Sequence, residues 1–298
     1  MFIPNAIQTF ETYTGAPDWI AYVALFVLGA AVGSFLNVVI HRVPREESIV
    51  FPNSACPKCG TAIRPYDNIP ILSWLILRGK CRVCKAGISI RYPAVELLNA
   101  LLWVAVYFFF GIAPMLAVGL VFCSVTIALM FIDAEHMILP NAITYPFAVG
   151  AFVVRLAFPL LFLGPQFSDL THGPLVGLTQ YPEWLVSVTG GVLGALAGGG
   201  SLWAIGELWK RLRGVEAMGL GDVKMMVGFG AILGWRLSIL AIFLAAFAGA
   251  LIGMAIIATK MDKNLQTQIP FGIFLGIGSV IALLVGDKMI DWYLGYFG

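Results

Sequence analysis

The sequence predicts an all-α polytopic membrane protein of about eight transmembrane helices, with a small zinc-stapled cytoplasmic loop domain between the first and second. Three observations carry that prediction. Of 298 residues, 60% are hydrophobic and only 11% charged, with a mean hydropathy of +0.91. A soluble domain carries about 25% charged residues, so this chain is built for a solvent other than water. The apolar residues fall in runs of about 20, the length a helix needs to cross the hydrocarbon core. The one long polar stretch holds Cys56-Pro-Lys-Cys59 and Cys81-Arg-Val-Cys84, two Cys-x-x-Cys knuckles 21 residues apart.

The apolar runs, in order, are 18–41, 94–112, 114–133, 140–163, 184–208, 220–236, 238–259 and 270–294. The first lacks the basic n-region and small-residue cleavage site of a signal peptide, and reads as a retained span. The sixth is the most broken: Gly219, Gly221, Gly228, Gly230 and Gly234 punctuate it, and Asp222 and Lys224 lie near its start. The chain divides accordingly into a tail and first transmembrane helix (1–41), the cysteine loop (42–93) and a helical bundle (94–298). Only the glycine patch at 198–200 is low in complexity, and no internal repeat is visible. No basic tract suits nucleic acid; the surroundings the composition requires are membrane lipid.

Orientation follows from the basic residues, which gather on cytoplasmic loops. The first loop holds Arg42, Arg45, Lys58, Arg64, Arg78, Lys80, Arg82, Lys85 and Arg91. Lys210, Arg211, Arg213, Lys224, Lys260 and Lys263 fall on the same side of an eight-span path. The N-terminal tail and the connection from Leu163 to Trp184 have no Lys or Arg. Both termini are therefore expected outside and the cysteine loop in the cytoplasm. Cytoplasmic thiols stay reduced, so Cys56, Cys59, Cys81 and Cys84 read as the thiolate ligands of a structural Zn2+ rather than as disulfide partners. The gap lies just beyond the usual spacing of about 15–20 residues, which a longer intervening loop absorbs. Lys58, Lys80, Arg82 and Lys85 help offset the charge of four thiolates. Cys123, in an apolar span, reads as a small packing residue.

Ionisable groups in or beside apolar spans are costly and mark function by default. Asp133 ends the third span and Asp222 opens the sixth, which places both at the cytoplasmic end of their helices. Two close carboxylates do not both ionise readily, so such a pair shares a proton. The ionised member then deprotonates a water while the protonated one polarises a peptide carbonyl, the chemistry of an aspartyl protease. The glycines of Gly219-Leu-Gly-Asp222 allow backbone or substrate to approach the acid closely. Taken singly, Asp133 also fits a solvated helix end and Asp222 a dipole-favoured helix start.

The ordered strings Gly33-Ser-Phe-Leu-Asn-Val-Val-Ile-His-Arg-Val-Pro44, the two knuckles, Tyr66-Asp-Asn-Ile-Pro-Ile-Leu-Ser-Trp74 and Arg91-Tyr-Pro-Ala-Val-Glu96 resemble the type IV prepilin peptidases. So do Ile132-Asp133 with Leu139-Pro140, Gly219-Leu-Gly-Asp-Val-Lys224 and Ile269-Pro-Phe-Gly272. These are bifunctional leader peptidase/N-methyltransferases of bacterial inner membranes, and the resemblance runs across nearly the whole chain. It implies that Asp133 and Asp222 are the catalytic aspartates of a transmembrane peptidase bundle. It further implies that a basic leader is cut from prepilins or pseudopilins of type IV pili or type II secretion, on the cytoplasmic side. The new N-terminal amine, usually of Phe, would then be methylated from S-adenosylmethionine. One departure is visible: where the family often has Asp after Leu-Pro, this chain has Asn141.

No glycine-rich loop for S-adenosylmethionine is legible, and the residues that bind it stay unassigned; the loop of 42–93 is the natural candidate. Four thiolates leave no open coordination position, so zinc there folds the loop rather than performing chemistry. The turn from Pro65 to Pro70 and the run from Trp74 to Leu77 are expected to pack against it, with Asp67 and Asn68 serving the turn. Glu46, Glu47, Asp67, Glu96, Glu135 and Glu216 are acids open to a basic leader, and a hydrophobic pilin stem would dock along the bundle. Three other readings remain: a membrane aspartyl peptidase without methyl transfer, a proton-coupled transporter using the same two acids, and a zinc-bearing scaffold.

Overall fold

The computed structural model describes residues 9–163, 181–215, 218–259 and 270–297. Glu216, Lys260, Lys263, Ile269 and most of the connection between Leu163 and Trp184 lie outside the described residues. Those described are helical with no strand among them: α1 (Phe10–Thr14), α2 (Trp19–Arg42), α3 (Leu72–Ile76), α4 (Arg91–Phe110), α5 (Pro114–His136), α6 (Asn141–Ala157), α7 (Glu183–Ala195), α8 (Ser201–Arg213), α9 (Leu220–Thr259) and α10 (Phe271–Phe297). The chain forms two compact units, 1–128 and 129–298.

Among the described residues, six helices are long and apolar enough to cross a membrane, and α6 is a shorter apolar helix. Helix lies in all eight predicted places, but eight full-length crossings do not follow. The fourth run ends early because Pro159 bars the helix from Phe158 onward, so the 17 residues of α6 span only about 26 Å. The fifth run continues through a π turn at Leu196–Gly200 into α8.

The sixth and seventh runs form the single element α9, interrupted at Gly234 (φ 78°, ψ 175°), a conformation that favours glycine. The chain doubles back there. Ser279 Oγ lies 3.8 Å from Met226 Sδ, while a Cβ on neighbouring Gly278 would stand 2.4 Å from the Ala241 carbonyl oxygen. Met226 and Ala241 are thus level with one another on α10. In a straight rod, 15 residues would separate them by about 22 Å. Arg236 approaches Asp291 at 3.9 Å, near the far end of α10, as the reversal requires.

In the first unit, α2 and α4 meet through glycines. A Cβ on Gly29 would stand 2.9 Å from Ala100 Cα, and one on Gly33 2.6 Å from Glu96 Cα. A polar chain crosses the same seam: Asn99 Nδ2 donates to the Gly29 carbonyl at 2.7 Å, Ser124 Oγ to Asn99 Oδ1 at 3.0 Å, and Trp103 Nε1 to Ser124 Oγ at 2.9 Å. In apolar surroundings such groups must satisfy one another.

In the second unit, close approach to α9 explains Gly194 and, in the glycine patch, Gly198 and Gly199. A Cβ on Gly194 would meet the Gly230 carbonyl oxygen at 2.0 Å, one on Gly198 that of Met226 at 2.6 Å, and one on Gly199 that of Val223 at 2.7 Å. Backbones this close leave no room for side chains. The break at Gly234 also strips Ala231 and Ile232 carbonyls of their helical donors four residues on. Arg155, 1% exposed, supplies them from α6: Nε donates to Ala231 O, Nη2 to Ile232 O at 3.2 Å and Nη1 to Ser187 O at 2.7 Å. Arg155 carries no signal along the sequence, because only the tertiary fold brings those carbonyls to it.

Candidate functional site

The four cysteines converge. Their Sγ atoms all lie within 4.8 Å of one another, with Cys56 and Cys84 at 3.8 Å, and none is in a disulfide. Tetrahedral zinc at about 2.3 Å from each sulfur sets ligand sulfurs about 3.8 Å apart, so the donor set fits Zn2+.

The two knuckles are built alike. Cys56 N–H donates to Thr61 O at 3.0 Å and Gly60 N–H to Cys56 O at 2.8 Å. Correspondingly, Cys81 N–H donates to Ala86 O at 2.8 Å and Lys85 N–H to Cys81 O at 3.1 Å. The residue after each second cysteine, Gly60 or Lys85, takes positive φ. The hydroxyl and amide of Thr61 lower the Cys59 thiol, while burial and the neighbouring sulfurs raise that of Cys84, the division expected when close sulfurs compete for protons.

The loop packs as expected around this centre. Arg82, between the cysteines of the second knuckle, grips the Asp67 carboxylate with Nε at 2.9 and 2.8 Å and Nη2 at 2.5 Å. That guanidinium holds the Asp67 carboxyl below its usual range. Trp74 Nε1 donates to Ile88 O at 3.1 Å, and its ring lies 2.8 Å from where a Cβ on Gly79 would stand. Asp67 therefore ties the Pro65–Pro70 turn to the second knuckle. Glu96, counted among acids open to a leader, is 8% exposed and its Oε2 accepts the Ile71 N–H at 2.6 Å. Burial removes it from that group. Glu46 and Glu47 are exposed.

Asp133 and Asp222, 6% and 9% exposed, come together within the second unit, close enough to interact electrostatically. Three helix ends build their site. Asp222 lies in the first turn of α9, where a carboxylate is favoured by the positive helix end, and the Gly219 amide faces it. Asp133 lies in the last turn of α5, the unfavourable end of its own helix. The start of α10 offsets this: the amides of Gly272 and Ile273 face the Asp133 carboxylate. Asp133 Oδ2 has no hydrogen bond, and a Cβ on Gly272 would stand 2.7 Å from it.

Leu139 joins the two sides. Met137 turns the chain after α5 at φ 53°, and the Leu139 side chain then lies 2.9 Å from a Cβ position on Gly221 and 3.4 Å from one on Gly272. Lys224 Nζ donates to Asn141 Oδ1 at 2.9 Å and lies 5.2 Å over the Tyr145 ring, so Asn141 retains an acceptor without adding a third acid. Gly272, Ile273 and Leu139 were visible only as parts of strings; their contact with the acids depends on α5, α9 and α10 meeting.

A family model described as the bacterial peptidase A24 N-terminal domain matches residues 27–110, and one described as the type IV leader peptidase family matches 120–254. The chain is similar to curated proteins named prepilin leader peptidase/N-methyltransferase. It is 36% identical to one from Aeromonas hydrophila in an alignment that covers 96% of this chain and 98% of that one. It is 36% identical to one from Pseudomonas aeruginosa over 295 residues, 91% and 93% of the two chains. With one from Dichelobacter nodosus it shares 37% identity in an alignment covering 100% of this chain and 99% of that one. No solved structure matches the chain.

Proposed function

Because the chain belongs to the type IV leader peptidase family, we propose that it cleaves the leader from prepilins or pseudopilins and then methylates the new N-terminal residue. Asp133 and Asp222 carry the cleavage, and the observation behind that assignment is their convergence from two helices beside the amides that open α10. The pair holds one proton. The ionised member takes a proton from water as its oxygen attacks the peptide carbonyl, while the other gives its proton to the carbonyl oxygen. Collapse of the tetrahedral adduct breaks the C–N bond, and the leaving nitrogen takes a proton back from the pair.

Zinc, held by Cys56, Cys59, Cys81 and Cys84, folds the loop of 42–93 and supplies no open position to a substrate. S-adenosylmethionine is the methyl donor. The basic residues orient the loop and both aspartates toward the cytoplasm of a bacterial inner membrane, with both termini on the other side. A substrate with a basic leader and a hydrophobic stem suits this arrangement, because the stem lies in lipid and its polar boundary reaches the aspartates.

Purified protein mixed with a prepilin and labelled S-adenosylmethionine tests the reading. Asp133→Asn and Asp222→Asn should each abolish cleavage and retain methylation of pre-cleaved pilin. Cleavage by either variant at the wild-type rate refutes the assignment, and an inactive wild type refutes the function.

A further inference from the structure

Resting on that reading, we infer that Glu96 is a positioning residue for methyl transfer, holding the zinc loop in register on the α2–α4 pair through the backbone amide of Ile71. Glu96 lies in the second turn of α4, where a buried carboxylate is costly and calls for a purpose. Its partners are the Ile71 N–H at 2.6 Å and the Ser34 side chain. Gly33 lets α2 approach the Glu96 backbone, and Asn37 Nδ2 donates to Gly33 O at 3.3 Å and Tyr92 O at 3.0 Å. The first string of the sequence, Gly33-Ser34-x-x-Asn37, thus closes a latch on α4. Cleavage by the aspartates uses none of it.

The latch grips a strained point. Ile71 has φ 63° and ψ −54°, and Leu72 N–H closes onto Pro70 O at 2.6 Å, making a γ-turn of the rare positive-φ kind. A β-branched residue in that region is an outlier, kept only where surrounding contacts enforce it, and such outliers cluster at functional sites. On one side the turn leads to Asp67, gripped by Arg82 within the second zinc knuckle. On the other it opens α3, whose Trp74 packs on Gly79. Glu96 therefore sets where the metal-stapled module sits on the helices of its own unit. Asp133 and Asp222 belong to the other unit.

In the transfer, the neutral amine of the new N-terminus attacks the methyl carbon of S-adenosylmethionine. The carbon–sulfur bond breaks with its electrons left on sulfur, the positive charge passes to nitrogen, and S-adenosylhomocysteine departs. Glu96 exchanges no proton in this step; it fixes the loop of 42–93, the long polar stretch inferred to present the reactants, where displacements of about 1 Å cost about 100-fold.

The test uses full-length, zinc-loaded protein with pre-cleaved pilin, alongside leader cleavage, zinc content and hydrogen exchange at Ile71. Glu96→Leu should lower kcat for methyl transfer at least about tenfold and speed exchange of the Ile71 amide similarly, with cleavage and zinc content near wild type. Glu96→Gln keeps the acceptor and should retain both within about threefold. Adding Ile71→Gly to Glu96→Leu should restore part of the transfer, because glycine takes this φ without strain. Glu96→Asp, the variant to use if Glu96→Leu does not fold, withdraws the carboxylate by one methylene while keeping its charge and should slow transfer at least about threefold. Wild-type transfer by Glu96→Leu or Glu96→Asp, a parallel fall in cleavage, or loss in Glu96→Gln as deep as in Glu96→Leu overturns the inference. A wild-type protein unable to methylate pre-cleaved pilin overturns the functional reading and this inference together.

Discussion

Replacing Gly272 by Ala perturbs the aspartate site without substituting either acid. The added Cβ would stand 2.7 Å from Asp133 Oδ2 and 3.1 Å from its Cγ, where ordinary contact begins at 3.4 Å. The neighbour is a short, buried side chain at a helix end, so the carboxylate must withdraw by about 0.7 Å. Catalytic groups misplaced by about 1 Å lose about 100-fold, so leader cleavage should fall about 10- to 100-fold, or about 1.4–2.7 kcal/mol in the barrier. The assay is the initial rate of prepilin cleavage by purified protein, with methylation of pre-cleaved pilin as the internal reference. Gly150→Ala is the control: nothing lies within 4 Å of its Cβ position, and cleavage should be unchanged. Gly272→Ala cleaving within about twofold of wild type would refute the placement of Asp133 against α10, as would an equal loss of methylation.

Arg155→Met should strip the buried Ala231, Ile232 and Ser187 carbonyls of their donor, and lower stability in detergent by several kcal/mol, read as a fall in thermal midpoint. Arg155→Lys should fail to rescue it, since one ammonium cannot reproduce the planar fork. Removing zinc with a chelator should expose the segment from Cys56 to Cys84 to protease, and readdition should restore protection; unchanged protection would mean that the loop folds without metal. Gly194→Leu should block extraction of folded protein, because its Cβ already overlaps the Gly230 carbonyl oxygen at 2.0 Å.

Several parts of the site were legible along the chain because they are local. Paired cysteines at Cys-x-x-Cys spacing place two sulfurs on one knuckle, whatever lies beyond it. Asp222 after glycines at the start of an apolar run, and Asp133 at the end of another, mark helix ends by position alone. Other features carry no local signature. Glu96 looked like one more interfacial acid until its carboxylate met Ile71, 25 residues earlier in the chain. Gly234 was one glycine among five in its run. The reversal there became evident only when Met226 and Ala241 fell at one level of α10.

Composition and run length on their own determined that the chain is helical and multi-pass, and the spacing of two Cys-x-x-Cys pairs marked the set of four metal ligands. A span must close its backbone hydrogen bonds within itself, and that demand is written residue by residue in hydropathy. Tertiary structure decided which helix ends meet. The α10 amides turn toward Asp133, Arg155 serves the carbonyls freed at Gly234, and α9 folds back instead of continuing. Those outcomes depend on close approach between segments distant in sequence, at glycines whose role is set by what packs against them.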